Sequence, residues 1–152
     1  MIEENLYQSS TLSFLGGELQ KNEDETKPRI LVVDDEDKVG RFICMLLKRS
    51  GYETFSCRSA AEARTLIVEK KWDLILTDIV MPKENGFELV RWIGEHHRKL
   101  PVIVMTAHST DAVENQSIKL GVASILHKPF TIDGLRIAVS QIIELNNPSK
   151  NS

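Results

Sequence analysis

Ile30-Leu31-Val32-Val33-Asp34-Asp35-Glu36-Asp37 is the stretch on which the fold turns. Its first half is a short continuous apolar run, as a strand buried on both faces would be. Its second half is acidic, with Asp37 placed as the N-cap of a helix. In that helix Val39, Phe42, Ile43, Leu46 and Leu47 keep helical spacing, and Gly51 lies just past the end. The same alternation then repeats along the chain. Glu53 to Cys57 reads as a second strand, and Ser59-Ala60-Ala61-Glu62 as a capping box opening a helix with Ala63, Leu66 and Ile67. Leu74-Ile75-Leu76-Thr77 is a third strand, followed by a helix from about Asn85 that carries Leu89, Val90 and Ile93. Val102-Ile103-Val104-Met105 is a fourth, before a weakly amphipathic helix from about Asp111 to Leu120 closed by Gly121. Ser124-Ile125-Leu126 is the fifth, and Leu135, Ala138, Val139, Ile142 and Ile143 mark the last helix.

Strands that alternate with helices imply a parallel sheet covered on both faces, because parallel neighbours need crossover connections. Right-handed crossovers leave a few doubly wound α/β orders, in all of which ligands collect beyond the carboxyl ends of the strands. The flanks differ from this core. Residues 1–27 contain Ser9-Ser10-Thr11, Gly16-Gly17 and a polar run from Gln20 to Lys27, and read as a flexible leader, with a short docking helix as the alternative. Residues 148–152 read as a short polar tail, which leaves 28–147 as one domain.

Composition sets the class. The chain has 152 residues, 41% hydrophobic and 27% charged, enough for one self-sufficient core. A net charge of -3 gives no case for direct nucleic-acid binding or for an anionic membrane. No apolar run approaches the roughly 18 residues of a membrane span, and no signal-peptide pattern opens the chain, so the cytoplasm is expected. Cys44 and Cys57 lack ligand spacing and read as reduced, buried thiols.

The residues just past each strand carry the chemistry. They are Asp34, Asp35, Glu36 and Asp37 after the first, Asp78 after the third, Thr106 after the fourth, and Lys128-Pro129 after the fifth. Each alone has a structural explanation, as a helix cap, a strand threonine or a solvated lysine. Together they put every group able to handle a phosphate and a hard cation on one edge. Crowded carboxylates repel one another and call for a cation, and an all-oxygen set without His or Cys favours Mg²⁺. A carboxylate in such a site can attack phosphorus, while a hydroxyl and an ammonium share the charge on the transferred phosphoryl oxygens.

Four segments then carry a resemblance: Ile30 to Glu36, Leu76-Thr77-Asp78-Ile79-Val80-Met81-Pro82 with Gly86 eight residues past the aspartate, Met105-Thr106-Ala107, and His127-Lys128-Pro129-Phe130. In this order they resemble the receiver domains of two-component response regulators, over about Pro28 to Leu145. The resemblance implies a flavodoxin-like fold with strand order 2-1-3-4-5. It implies Asp78 as phosphoacceptor and Mg²⁺ held by Asp34, Asp35, Asp78 and the backbone carbonyl of Val80. It also implies phosphoryl contacts from Thr106 and Lys128, and a cis Lys128–Pro129 bond. The expected partners are a sensor histidine kinase or histidine phosphotransfer protein and a downstream protein target, with room for a phosphorylation-dependent homodimer. Without an output domain the chain is expected to be a stand-alone receiver that signals by protein contact or phosphorelay. It is expected not to be an enzyme beyond Mg²⁺-dependent autophosphorylation and autodephosphorylation.

One position departs from the family. Members often carry an aromatic residue three positions before the lysine, where this chain has Ile125. An aliphatic there has less volume to move and no hydroxyl to present, so coupling between Thr106 and the last helix is expected to run less through one rotamer swing. Val80 and His108 flank the place where an acyl phosphate would form, and are expected to influence its hydrolysis. His96-His97 reads as a solvated pair, and Trp72 and Trp92 as packing on the outer helices. Two other classes compete. An aspartate-nucleophile phosphohydrolase wants Asp-x-Asp after its first strand, which Asp34-Asp35-Glu36 lacks. A phosphorylation-independent interaction module has no need of the intact Asp34, Asp35, Asp78, Thr106 and Lys128 set.

Overall fold

Why the apolar runs become central strands is visible in their burial. A computed structural model of the chain describes residues 27–146, so the expected leader and polar tail lie outside the described residues, Lys27 excepted. Five strands form one parallel sheet: β1 (Arg29–Val33), β2 (Glu53–Cys57), β3 (Leu74–Asp78), β4 (Val102–Thr106) and β5 (Ser124–His127). Their spatial order is β2-β1-β3-β4-β5. Ile30 to Val33, Leu74 to Leu76 and Ile103 to Met105 are wholly inaccessible to solvent. The order reverses between β1 and β3, which places a crevice at their carboxyl ends.

Five helices cover the sheet: α1 (Asp37–Arg49), α2 (Ala60–Glu69), α3 (Gly86–His96), α4 (Asp111–Leu120) and α5 (Ile132–Asn146). Alternate residues of each strand feed two cores. Ile30, Val32, Leu74, Leu76, Ile103 and Met105 pack with α1 and α5 through Ile43, Leu47, Leu135 and Val139. Leu31, Val33, Ile75, Val102 and Val104 pack with α2 and α3 through Ala63, Ile67, Leu89 and Ile93.

The helix ends refine the sequence reading. Asp37 is the first helical residue and not the N-cap, which is Glu36. The Asp34 carboxylate accepts the Glu36 N–H at 2.9 Å and turns the chain one residue early, freeing Asp37 to pair with Arg41 at 3.0 Å. Phe42, grouped by spacing with the apolar stripe, is 51% exposed, because Ile43, Leu46 and Leu47 turn it outward. Ser59 caps α2 by accepting the Glu62 N–H at 3.1 Å, but the Glu62 carboxylate takes the Arg58 N–H, so the reciprocal box is half made. The complete box opens α3, where Asn85 and Glu88 accept each other's N–H at 3.1 and 3.2 Å. Gly121 ends α4 at φ +76°, a left-handed position that favours glycine.

No helix among the described residues is long and apolar enough to cross a membrane. Trp72 lies edge-on to Phe55 and donates its indole N–H to the Leu66 carbonyl, while Trp92 stacks on His96 at 5.1 Å. The Cys44 and Cys57 thiols are unbonded to each other; burial pushes Cys57 up to about 12.

Candidate functional site

β1 ends at Val33 and β3 at Asp78, side by side in the sheet, and this register sets the site. Asp34 and Asp78 follow or finish buried strands and are themselves 1% and 8% exposed. Asp35 stands next to them, half-buried. One carboxylate oxygen from each of Asp34, Asp35 and Asp78 can be chosen so that all three lie within 4.8 Å of one another. Lys128 reaches the same point from the end of β5. Its ammonium donates to Asp34 Oδ2 at 3.2 Å and to Asp78 Oδ2 at 3.3 Å. The Lys128 N–H is tied to the Thr106 carbonyl at 2.7 Å, and the Lys128–Pro129 peptide bond is cis.

Burial and charge compete at this edge. Burial pushes the Asp78 carboxyl up; Lys128 draws it down, Asp34 pushes it up, and the Lys128 ammonium and Val80 N–H lower it by hydrogen bonding, with a net rise. Burial is also the largest single influence on Lys128 and works against its charge. Asp78 and Asp34 together outweigh that effect and raise the ammonium above its ordinary range.

Thr106 is fully buried at the end of β4. Its hydroxyl is held by the following turn: it donates to the His108 carbonyl at 3.0 Å and accepts the His108 N–H at 2.9 Å. Ile125 lies in β5 opposite Val104 and packs into the α2–α3 core. Val80 is 64% exposed at the rim, His108 is exposed, and Pro129 is exposed beside Lys128. The strand ends thus bring Asp34, Asp35, Asp78 and Lys128 into one cluster. They leave Thr106 beside it on its own turn, and Ile125 within the sheet.

Two further contributors support the site, Gly86 from the quoted motif and an ion pair that has no readable sequence signal. Gly86 opens α3 directly against the strand end. A Cβ there would overlap the Asp78 carbonyl oxygen and stand 3.0 Å from Ile79 Cα. Arg64 of α2 grips both carboxylate oxygens of Glu84, fixing the loop between β3 and α3 from across 20 residues of sequence. An ion pair between separate elements leaves no periodic trace in the chain.

The donor set fits a hard divalent cation. It is all oxygen, it is crowded, and Asp34 is sealed from solvent, so the repulsion among its carboxylates is offset in the described residues by Lys128 alone.

A family description of the response regulator receiver domain matches residues 30–140. The response regulator protein PilR of Pseudomonas aeruginosa is 33% identical over 123 residues, covering 81% of this chain and 28% of that protein. Sporulation initiation phosphotransferase F of Bacillus subtilis is 29% identical over 119 residues, covering 78% of this chain and 96% of that protein. Among solved structures, a response regulator receiver domain protein from Clostridium thermocellum superposes with a TM-score of 0.75 at 30% identity, covering 80% of this chain and 98% of that one. The chain spans between 26% and 43% of the length of the first three curated relatives it matches.

Proposed function

The chain belongs to the response regulator receiver domain family, and from that membership we propose that Asp78 accepts a phosphoryl group from a sensor histidine kinase or a histidine phosphotransfer protein. Receiver domains are phosphoacceptor switches. The observation that carries the assignment to Asp78 is the Lys128 ammonium, which bridges Asp78 and Asp34 from a strand fifty residues away.

In this reading one Asp78 carboxylate oxygen attacks phosphorus in line with the donor's leaving group. A phosphorus–oxygen bond to Asp78 forms as the phosphorus–nitrogen bond of a phosphohistidine breaks, and the departing imidazole keeps the nitrogen electron pair. Lys128 is already placed to exchange its contact with Asp78 for one with a phosphoryl oxygen. Asp34, Asp35, Asp78 and the Val80 carbonyl would hold Mg²⁺, which when bound supplies positive charge beside the transferred group. Glycine at position 86 keeps the loop close enough for the Asp78 carbonyl to stay in place. Val80 and His108 stand at the two sides from which water approaches the acyl phosphate.

Thr106 can donate to the phosphoryl group only by giving up the hydrogen bond it donates to the His108 carbonyl. Phosphorylation therefore acts first on residues 106–108, and through them on the face formed by α4, β5 and α5. Ile125 follows this change without a large rotamer swing, since it is packed in the core and paired in the sheet. That face reports the state to a protein target, to a second copy of the chain, or to the next member of a relay.

Incubation with acetyl phosphate and Mg²⁺, followed by intact mass, tests the assignment. Wild type gains one phosphoryl group per chain and Asp78→Ala gains none; a gain that survives Asp78→Ala overturns it. Backbone amide shifts with beryllofluoride, a phosphoryl mimic, test the route. Thr106 to His108 move, and fixed shifts around Ile125 rule that residue out of the signal.

A further inference from the structure

The loop between β3 and α3, residues 79–85, carries Val80, whose carbonyl is one of the proposed Mg²⁺ donors. Its two ends are fixed by backbone contacts. The Ile79 N–H donates to the Met105 carbonyl at 3.1 Å, and the Gly86 N–H donates to the Ile79 carbonyl at 2.7 Å. Between those ends the backbone holds itself weakly: among the described residues, no backbone–backbone hydrogen bond involves residues 80–84. The Val80 N–H reaches the Asp78 carboxylate, and the Met81 side chain is buried. Val80, Pro82 and Lys83 are exposed.

The far half of the loop is held from another element. Arg64 Nη1 donates to Glu84 Oε1 at 2.7 Å and Nη2 donates to Oε2, a paired geometry that a planar guanidinium makes and an ammonium does not. The same guanidinium lies 5.7 Å from the centre of the Trp92 ring, so α2, the loop and α3 meet at one group. Neighbouring acids are engaged elsewhere: the Glu62 carboxylate accepts the Arg58 N–H, and the Glu88 carboxylate accepts the Asn85 N–H. Among the described residues the ion partner of Glu84 is Arg64 alone, and Arg58 and Lys83 form no ion pair. The hydrogen bond from Arg64 lowers the Glu84 carboxyl, so the pair is charged at neutral pH. With the two side chains 28% and 29% exposed, such a pair adds little to stability. Its effect is on where the loop sits.

We propose that Arg64 is a positioning residue for Mg²⁺: through Glu84 it fixes residues 80–84 and with them the Val80 carbonyl. The inference rests on the reading that Asp34, Asp35, Asp78 and the Val80 carbonyl hold the ion. Mg²⁺ tolerates little departure from octahedral geometry, so a carbonyl already in place binds it better than one that must be ordered first. Charge and position predict opposite signs for the loss of Arg64. A guanidinium near a cation site repels the cation, so removing its charge alone tightens Mg²⁺ binding. Removing the brace on the loop weakens it.

Calorimetric titration of the full chain with Mg²⁺ reads that sign. Arg64→Met and Glu84→Gln are each expected to raise the Kd about tenfold, the scale on which a metal ligand loses its supporting contact. The double variant is expected to lose no more than either single one, because both act through one contact. In EDTA, hydrogen exchange at the Val80 amide is expected to quicken about tenfold in Arg64→Met, with no metal involved. At saturating Mg²⁺ each variant is expected to gain one phosphoryl group from acetyl phosphate; failure to do so marks a collapsed site and overturns the proposal. An Arg64→Met Kd tighter than wild type or within about twofold of it overturns it too, as do additive losses in the double variant. Unchanged Val80 exchange overturns the brace and leaves the Mg²⁺ assignment standing. Asp34→Asn/Asp35→Asn tests that assignment separately: a Kd equal to wild type overturns it, and the role given to Arg64 falls with it.

Discussion

Lys128→Met isolates what the ammonium does when no metal is bound. In EDTA it is the counter-ion of Asp34 and Asp78, at 3.2 and 3.3 Å. Each contact amounts to about 5 kcal/mol of Coulomb attraction at an effective dielectric of 20, before desolvation is subtracted. Methionine matches the lysine stem in length, so packing is largely kept and the charge alone is lost. The carboxylates of Asp34, Asp35 and Asp78 then stand within 4.8 Å of one another with nothing between them to offset repulsion. Breaking a buried pair of this kind costs about 3 kcal/mol. For a domain of this length that lowers Tm by about 12 °C.

Three signs follow. Mg²⁺ at about one hundred times the wild-type Kd adds about 2.7 kcal/mol to wild type, and at that same concentration the variant, lacking the competing ammonium, binds more tightly and gains more. Lowering the pH towards 5 narrows the gap in EDTA, because a proton shared between carboxylates replaces the missing cation. In wild type the raised Lys128 keeps its contribution from neutral pH up to the unfolded lysine range, about 10.4, and loses it as pH rises through the still higher folded value. Urea unfolding followed by tryptophan fluorescence, with EDTA or Mg²⁺, measures all three. Variant and wild type within about 1 kcal/mol of each other in EDTA at pH 7, or equal Mg²⁺ stabilisation of both, would refute the reasoning.

Asp78→Asn is expected to unfold at higher urea than wild type at pH 7 in EDTA. The folded Asp78 carboxyl is raised chiefly by burial, so its ionised form opposes folding. That penalty is absent below the unfolded aspartate value of about 3.9 and complete above the folded one, so the two midpoints converge in acid. Gly86→Ala favours the helix intrinsically by about 1 kcal/mol, yet the Cβ overlap with the Asp78 carbonyl costs about 1–3 kcal/mol. A lower Tm and slower phosphoryl gain are expected, and a raised Tm contradicts the close approach. Cys57, pushed up to about 12 by burial, is thiolate at about one part in ten thousand at pH 8. Iodoacetamide should leave it intact in the native protein and label both cysteines in urea; rapid native labelling of Cys57 contradicts its burial.

Much of the fold was legible because its signals are local. Apolar runs of four, such as Ile30 to Val33, can only be satisfied in a sheet covered on both faces, and intervening helical spacing demands parallel crossovers. The order β2-β1-β3-β4-β5 came from family likeness, since periodicity alone does not choose among doubly wound orders. Local signals failed where one residue of phase or one competing acceptor decided the outcome, as at Asp37, Phe42 and Glu62. The membership of the site was legible for a topological reason: in a parallel sheet every strand ends on the same edge, so Asp34, Asp78, Thr106 and Lys128 had to share it.

Sequence by itself determined which side chains gather at that edge and what chemistry their types allow. Only the tertiary structure decided their pairing. It put the Lys128 ammonium between Asp34 and Asp78. It parked the Thr106 hydroxyl on the His108 backbone and pressed Gly86 against the Asp78 carbonyl. Charge type is a property of a residue, but hydrogen bonds and close approach act over about 3 Å, and that distance is set by packing between elements far apart in the chain.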